Sequence, residues 1–261
     1  MSVLVVSDQI VHYEVLGRGP AVLLLHGSLG SWRYWVPTMQ TLSARYRIYA
    51  LDLWGHGDTA HLAEPYTLDL QAALLKEFLD QLGIARIALI GHSVGAAVAL
   101  RFTRQNPDYV ARLITVGMPL AGPTLNPRLL SSTPITLFEW MSSRFAGLEE
   151  LATEVQKTDP SAYLGLLQSI QATDLRYDLS HLHVPCLLAH GERDPLVTAP
   201  QSTWLTGLDF ANVFRLIIPE GLHFPMIDDP PKFQRLLLDA LDKNTEFAAL
   251  TLKDEWKRRL R

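Results

Sequence analysis

Two periodicities alternate along the 261-residue chain. Near its start, Val3-Leu4-Val5-Val6 and Ile10-Val11-His12-Tyr13-Glu14-Val15 read as strands joined by a tight turn at Ser7-Asp8-Gln9. The second alternates apolar and polar positions, as an edge hairpin does. Gly17-Arg18-Gly19-Pro20 breaks the pattern, and residues 21–25 are continuously apolar, the mark of a strand buried on both faces of a parallel sheet. Further strand-like runs cover residues 47–51, 86–90, 112–116, 184–189 and 213–218. Between several of them the period becomes helical: over residues 68–82, Leu70, Leu74, Leu75, Phe78, Leu79 and Leu82 share one face. Strands alternating with helices predict an α/β protein with an eight-stranded, mostly parallel sheet flanked by helices and right-handed crossovers.

One interval breaks the alternation. Residues 119–183 show only helical patterns, at 135–145, 148–157 and 161–170, leaving the sheet after the sixth strand and returning at the seventh. The expected organisation is therefore a core of residues 1–118 and 184–243 and an inserted helical unit of residues 119–183. Residues 244–261 form a polar terminal helix or tail, with Ala249, Leu252, Trp256 and Leu260 in a narrow apolar stripe beside Lys257-Arg258-Arg259.

A net charge of −4 leaves no basic excess for a nucleic-acid partner. The single cysteine, Cys186, lies in an apolar run and is expected to be a buried thiol; no intrachain disulfide can form. The first ten residues lack a basic leader and carry Asp8, against a signal peptide, and no run reaches membrane-spanning length. A soluble, cytoplasmic protein is the expectation. Nothing in the pattern selects between monomer and homodimer.

The chemistry concentrates at Gly91-His92-Ser93-Val94-Gly95, between the apolar run Arg86-Ile87-Ala88-Leu89-Ile90 and the helix-forming Ala96-Ala97-Val98-Ala99-Leu100-Arg101-Phe102. A serine between glycines at a strand-to-helix corner is a nucleophile elbow: the backbone turns sharply and lifts the hydroxyl above the sheet edge. With this context the chain resembles the α/β-hydrolase superfamily, from about Gln9 to Asp242.

The resemblance implies the remaining roles. His223, in Gly221-Leu222-His223-Phe224-Pro225 after the last strand, stands where the family has its catalytic base. The acid follows the seventh strand in His190-Gly191-Glu192-Arg193-Asp194-Pro195: Asp194 matches the family position, and Glu192 is the alternative. Asp228 and Asp229 are read as exposed loop or helix-start residues. The oxyanion donors are expected to be the N–H groups of Val94 and, by resemblance to H-G-x loops, of Ser28 in His26-Gly27-Ser28-Leu29-Gly30, with Leu29 next in line. His26 is expected to be a structural residue at the strand end. Leu51-Asp52-Leu53-Trp54-Gly55-His56-Gly57-Asp58-Thr59 resembles the family's D-x-x-G-x-G loop, with Asp58 where the family usually has serine; His56 and His61 are expected at the surface. The helical unit resembles the family's cap over the active site. Leu29, Trp32, His92, Met118 and Phe224 are expected to line an apolar pocket, with Trp35 and Trp54 on nearby loops.

No cofactor is implied and no metal is expected, since His181-Leu182-His183 has no third ligand at suitable spacing. The expectation is a serine hydrolase cleaving small-molecule esters of small to medium acyl chains through an acyl-enzyme. A serine at position 93 argues against the family's dehalogenases and epoxide hydrolases, which use an aspartate. The same residues also serve perhydrolases, lactonases, thioesterases, carbon–carbon bond hydrolases, hydroxynitrile lyases and slow-turnover receptors of this fold, so substrate identity rests on the pocket.

Overall fold

The computed structural model describes residues 2–63, 65–201 and 211–250. Strands β1 (Ser2–Val6) and β2 (Gln9–Leu16) form an antiparallel hairpin whose two loop residues, Ser7 and Asp8, both have positive φ (48° and 61°). That turn geometry matches the right-handed twist of its strands. Next come β3 (Ala21–Leu25), α1 (Val36–Leu42), β4 (Arg47–Leu51), α2 (Leu68–Gln81), β5 (Ile87–His92), α3 (Val94–Gln105) and β6 (Val110–Val116). The interval without strands folds as α4 (Pro127–Ser131), α5 (Pro134–Ser142), α6 (Glu149–Lys157), α7 (Pro160–Gln171) and α8 (Leu175–Ser180). The chain then completes β7 (Cys186–Gly191), β8 (Val213–Ile218), α9 (Pro225–Asp228) and α10 (Pro230–Leu241).

The eight strands lie in one sheet in the order β1-β2-β4-β3-β5-β6-β7-β8, parallel from β4 onward, with the hairpin antiparallel at one edge. The apolar runs are central because helices cover both faces: Val22, Leu23, Leu24 and Leu25 of β3 are fully buried. Register aligns the carboxyl ends of the parallel strands. Leu25 pairs with Leu51 and Gly91, His92 with Val116, and Val116 with Ala189. The loops carrying Ser28, Ser93, Asp194 and His223 therefore leave the same edge of the sheet, where ligands bind in open α/β sheets.

β5 and β7 each end two residues later than the hydrophobic runs suggest. The extra residues, Gly91-His92 and His190-Gly191, keep the ladder hydrogen bonds without contributing aliphatic side chains. Helices α4 and α8 were not legible because one or two turns give no period; only Asn126 and Asp174, which accept from the N–H groups of Arg128 and Arg176, mark their starts. Cys186 is buried, and burial raises its thiol to about 12. Beyond α10, Arg112 donates to the carbonyls of Ala240, Lys243 and Thr245 and covers the Phe247 ring, docking the start of the tail. The stripe through Leu252, Trp256 and Leu260 lies outside the described residues. Among the described residues, no helix is long and apolar enough to cross a membrane.

Candidate active site

Ser93 joins β5 to α3 at φ 53° and ψ −121°, a conformation that ordinarily costs a non-glycine residue about 1–3 kcal/mol. The surrounding backbone holds it. Ser93 N–H donates to Val116 O at 2.8 Å, and Ser93 O accepts from Ala96 and Ala97 N–H at 3.0 and 3.3 Å. The flanking glycines permit the fit: a Cβ on Gly95 would lie 2.2 Å from His26 O, and one on Gly91 would lie 2.5 Å from Ala96 Cα. Serine therefore occupies the one position in Gly91-His92-Ser93-Val94-Gly95 where the turn and a reactive side chain coincide.

His223 and Asp194 meet directly. Nδ1–H of His223 donates to Asp194 Oδ2 at 2.7 Å, with both side chains buried. Asp194 Oδ1 accepts from the N–H groups of Leu196 and Val197 at 2.8 and 3.0 Å. Burial pushes the Asp194 carboxyl upward, but His223 and these N–H groups outweigh it and hold its pKa below the usual carboxylate range. Glu192, by contrast, accepts from Glu220 N–H at 3.0 Å in an exposed pair, so of the two carboxylates it is Asp194 that is hydrogen-bonded to the imidazole. Gly117, at φ 57°, packs against this pair; a Cβ there would lie 3.2 Å from the His223 ring and 3.4 Å from Asp194 Oδ2.

The loop of residues 26–30 closes with Gly30 N–H donating to Gly27 O at 3.0 Å. Among the described residues the Ser28 N–H has no backbone acceptor, and Val94 N–H is the first of α3, so both are of the type left over at turns and helix starts. His26 is structural: it is fully buried, Nδ1–H donates to Gly27 O at 2.8 Å, and Nε2 accepts from Leu53 N–H at 3.0 Å. Burial lowers its pKa to about 3.

The interval between β6 and β7 reaches this site. Met141 of α5, with Phe145 and Leu148 just beyond it, lines a cleft with Pro195, Leu222, Phe224 and His223. Asp228 also borders the cleft, and the apolar surroundings raise its carboxyl to about 6. Nothing in the sequence distinguished Asp228 from Asp229, which instead caps α10 by accepting from Lys232 N–H.

Other expected pocket residues are placed differently. Phe224 does line the cleft, and Leu29 is buried in the core cluster. His92 is fully buried with both ring nitrogens engaged, so it corrects the reading of a pocket-lining residue. Met118 is likewise closed to solvent, its carbonyl accepting from His190 Nε2–H at 2.9 Å. Trp32 faces β2 and β4: its backbone N–H donates to Asp52 Oδ1 at 2.8 Å, and its ring lies against His12 and Arg33. His56 is buried rather than at the surface, donating from Nδ1–H to Trp54 O at 3.0 Å, with its pKa lowered by burial to about 4; His61 is exposed.

His12, Asp52 and Asp58 bring three possible metal-ligand atoms within 4.8 Å of one another. Their donors are already used. His12 Nδ1 pairs with Asp52 at 2.8 Å, and Asp58 faces Lys157 at 2.8 Å and Arg33 at 3.6 Å. Cations and mutual hydrogen bonds fill the places a metal would take, so the cluster reads as a structural anchor.

A sequence-family model described as "alpha/beta hydrolase fold" matches residues 20–159. The chain belongs to the α/β-hydrolase family. A relative from Vibrio vulnificus (strain CMCP6), a pimeloyl-[acyl-carrier protein] methyl ester esterase, is 28% identical over 260 residues, 89% of this chain and 98% of its own. Epoxide hydrolase 4 of Mus musculus is 29% identical over 279 residues, covering 90% of this chain and 77% of its own. Among solved structures, the enol-lactonase from Burkholderia xenovorans LB400 superposes with a TM-score of 0.80 at 22% identity, over 93% of this chain and all of that one, a likeness of fold. In this α/β hydrolase, Asp58 ties the loop after β4 to α6 through Lys157.

Proposed function

We propose that the chain is a cofactor-independent serine hydrolase that cleaves carboxylic esters of small to medium acyl chains, and that residues 119–183 act as its cap. Ser93 Oγ attacks the ester carbonyl while His223 takes the hydroxyl proton. The N–H groups of Ser28 and Val94 receive the oxyanion. His223 then returns the proton to the departing alcohol, leaving an acyl-Ser93 ester. Water, deprotonated by the same imidazole, releases the acid and restores Ser93. Asp194 holds the imidazole's orientation and stabilises its cationic form.

The observation that carries this reading is the 2.7 Å His223–Asp194 hydrogen bond together with a serine held at positive φ on a loop that leaves the same sheet edge. The apolar cleft next to His223 supports an acyl or alkyl substituent over a charged one. The test is active-site titration on a series of acyl esters graded by length, combined with a fluorophosphonate probe. Repeated turnover and covalent labelling at Ser93 are expected. Tight ligand binding without turnover, or labelling at another serine, would replace the reading.

A further inference from the structure

A single buried chain of hydrogen bonds joins the three loops on which the proposed reaction depends, through two side chains that the reaction itself does not use. His92, immediately before Ser93, is fully buried. Its Nε2 lies 2.9 Å from the backbone oxygen of His223. A carbonyl can only accept, so Nε2 carries the proton. Burial, with the His223 ring centred 4.7 Å away, keeps the His92 imidazole neutral and leaves Nδ1 as an acceptor. The Tyr34 hydroxyl stands 3.0 Å from Nδ1 and donates to it, while the Tyr34 oxygen accepts from Gly27 N–H at 2.5 Å. The polarity is therefore fixed along the chain: Gly27 N–H to Tyr34, Tyr34 O–H to His92 Nδ1, His92 Nε2–H to the His223 carbonyl.

We propose that Tyr34 and His92 are positioning residues that hold the oxyanion loop and the His223 loop in register with Ser93. The proposal builds on the hydrolase reading above. Gly27, whose N–H is tied down, directly precedes Ser28, whose N–H is to meet the oxyanion. The backbone fixed at the other end is that of His223 itself. Both side chains are buried with their polar atoms already engaged by the protein, so the role proposed for them is positioning and not contact with substrate. Removing the Tyr34 hydroxyl leaves two buried polar groups, Gly27 N–H and His92 Nδ1, without partners, and the loops relax to satisfy them. Displacements of about 1 Å in such donors cost up to about a hundredfold in rate.

The experiment has two arms. In the wild-type protein, ¹⁵N NMR of His92 is expected to show a protonated Nε2 and an unprotonated Nδ1, a readout independent of turnover. In variants, kcat, KM and the rate of fluorophosphonate labelling are compared. His92→Gln retains a donor near the Nε2 position and so the link to His223; His92→Asn retains an acceptor near Nδ1 and so the link to Tyr34. Tyr34→Phe, which preserves ring volume, covers the case in which His92→Ala does not fold. Tyr34→Phe and His92→Ala are expected to lower kcat about ten- to a hundredfold, with KM within about twofold and labelling falling in parallel with kcat. His92→Gln and His92→Asn should each recover part of the loss. A proton on Nδ1, folded variants with wild-type kcat, or a loss carried by KM alone would overturn the positioning role. A wild-type protein unlabelled at Ser93 would overturn the hydrolase reading, and this role with it. A labelled wild type with unaffected variants removes only the positioning role.

Discussion

At the scale of single residues, carboxylate partners separate Asp194 from Glu192, a choice that the loop His190-Gly191-Glu192-Arg193-Asp194 by itself left to family resemblance. Asp194→Asn is expected to reduce kcat by up to about 10⁴-fold, the scale of this role in the serine-protease template. Glu192→Gln, which loses only an exposed contact to Glu220 N–H, should stay near wild type. Steady-state kinetics on one good ester checks both, and equal small losses would place the acid elsewhere. Ser93→Ala should abolish turnover without unfolding, since alanine keeps the backbone bonds to Val116, Ala96 and Ala97 that hold the turn; circular dichroism and an ester assay on the same sample decide it. The residues hardest to read from sequence were histidines. A histidine looks the same in a sequence whether it donates to a carbonyl in the core, as His56 does to Trp54, or faces solvent, as His61 does. His12 gave no signal, because its partner Asp52 lies forty positions away on a neighbouring strand end.

Among the elements, the strands were legible because continuous apolar runs occur where both faces are covered. Helices α5, α6 and α7 were legible from their period. The inner face of the insertion between β6 and β7 was not, because facing is set by tertiary packing. Trp140 is covered by the guanidinium groups of Arg128 and Arg144, and Tyr163 is buried with its hydroxyl donating to Leu129 O. Met141, Phe145 and Leu148 border the cleft instead. Alanine at Met141 or Phe145 is expected to shift kcat/KM toward longer acyl chains while the labelling rate with a very small phosphonate holds. Parallel loss of both would make the cap part of the chemistry. The same insertion is clasped from below: Arg33 meets the buried Glu154 at 2.9 Å, and Lys157 meets Asp58. Asp58→Ser should cost on the order of 1 kcal/mol, since that pair is partly exposed. Arg33→Ala, which strips a buried carboxylate of a partner, should cost more. Urea unfolding measures the difference, and the reverse ranking would contradict the clasp.

The whole molecule stores several neutral imidazoles in its interior. Burial lowers His26 to about 3 and His56 to about 4, and it takes His92 well below the ordinary histidine value. Each binds its proton more tightly when unfolded. Their contribution is therefore complete above the unfolded value of about 6.5 and is lost as pH falls from there toward the folded values. Asp194, with its depressed pKa, adds a further loss only below the ordinary aspartate range. His12 runs the other way: its burial is outweighed by Asp52 and Glu14, so its stabilisation is present at low pH and is lost as pH rises through its raised value. The net expectation is a falling urea midpoint between pH 7 and pH 5, with about 1.4 kcal/mol per pH unit for each net proton taken up on unfolding. A flat midpoint across that window in a His12→Asn variant, which removes the opposing group, would mean that these imidazoles are protonated in the folded chain.

The seam between β6 and β7 has a consequence for how reactivity is born. Ser93 and the N–H groups of Ser28 and Val94 proposed to serve it are encoded before the long excursion between these strands, whereas Asp194 and His223 are encoded after it. In the sheet the two groups are joined by the ladder from Leu113–Cys186 to Val116–Ala189. On the proposed reading, reactivity at Ser93 reports sheet completion: during refolding, phosphonate labelling should lag behind helix formation and appear when β7 docks. A chain cut within the excursion would be silent as either piece alone and reactive once the pieces reassemble.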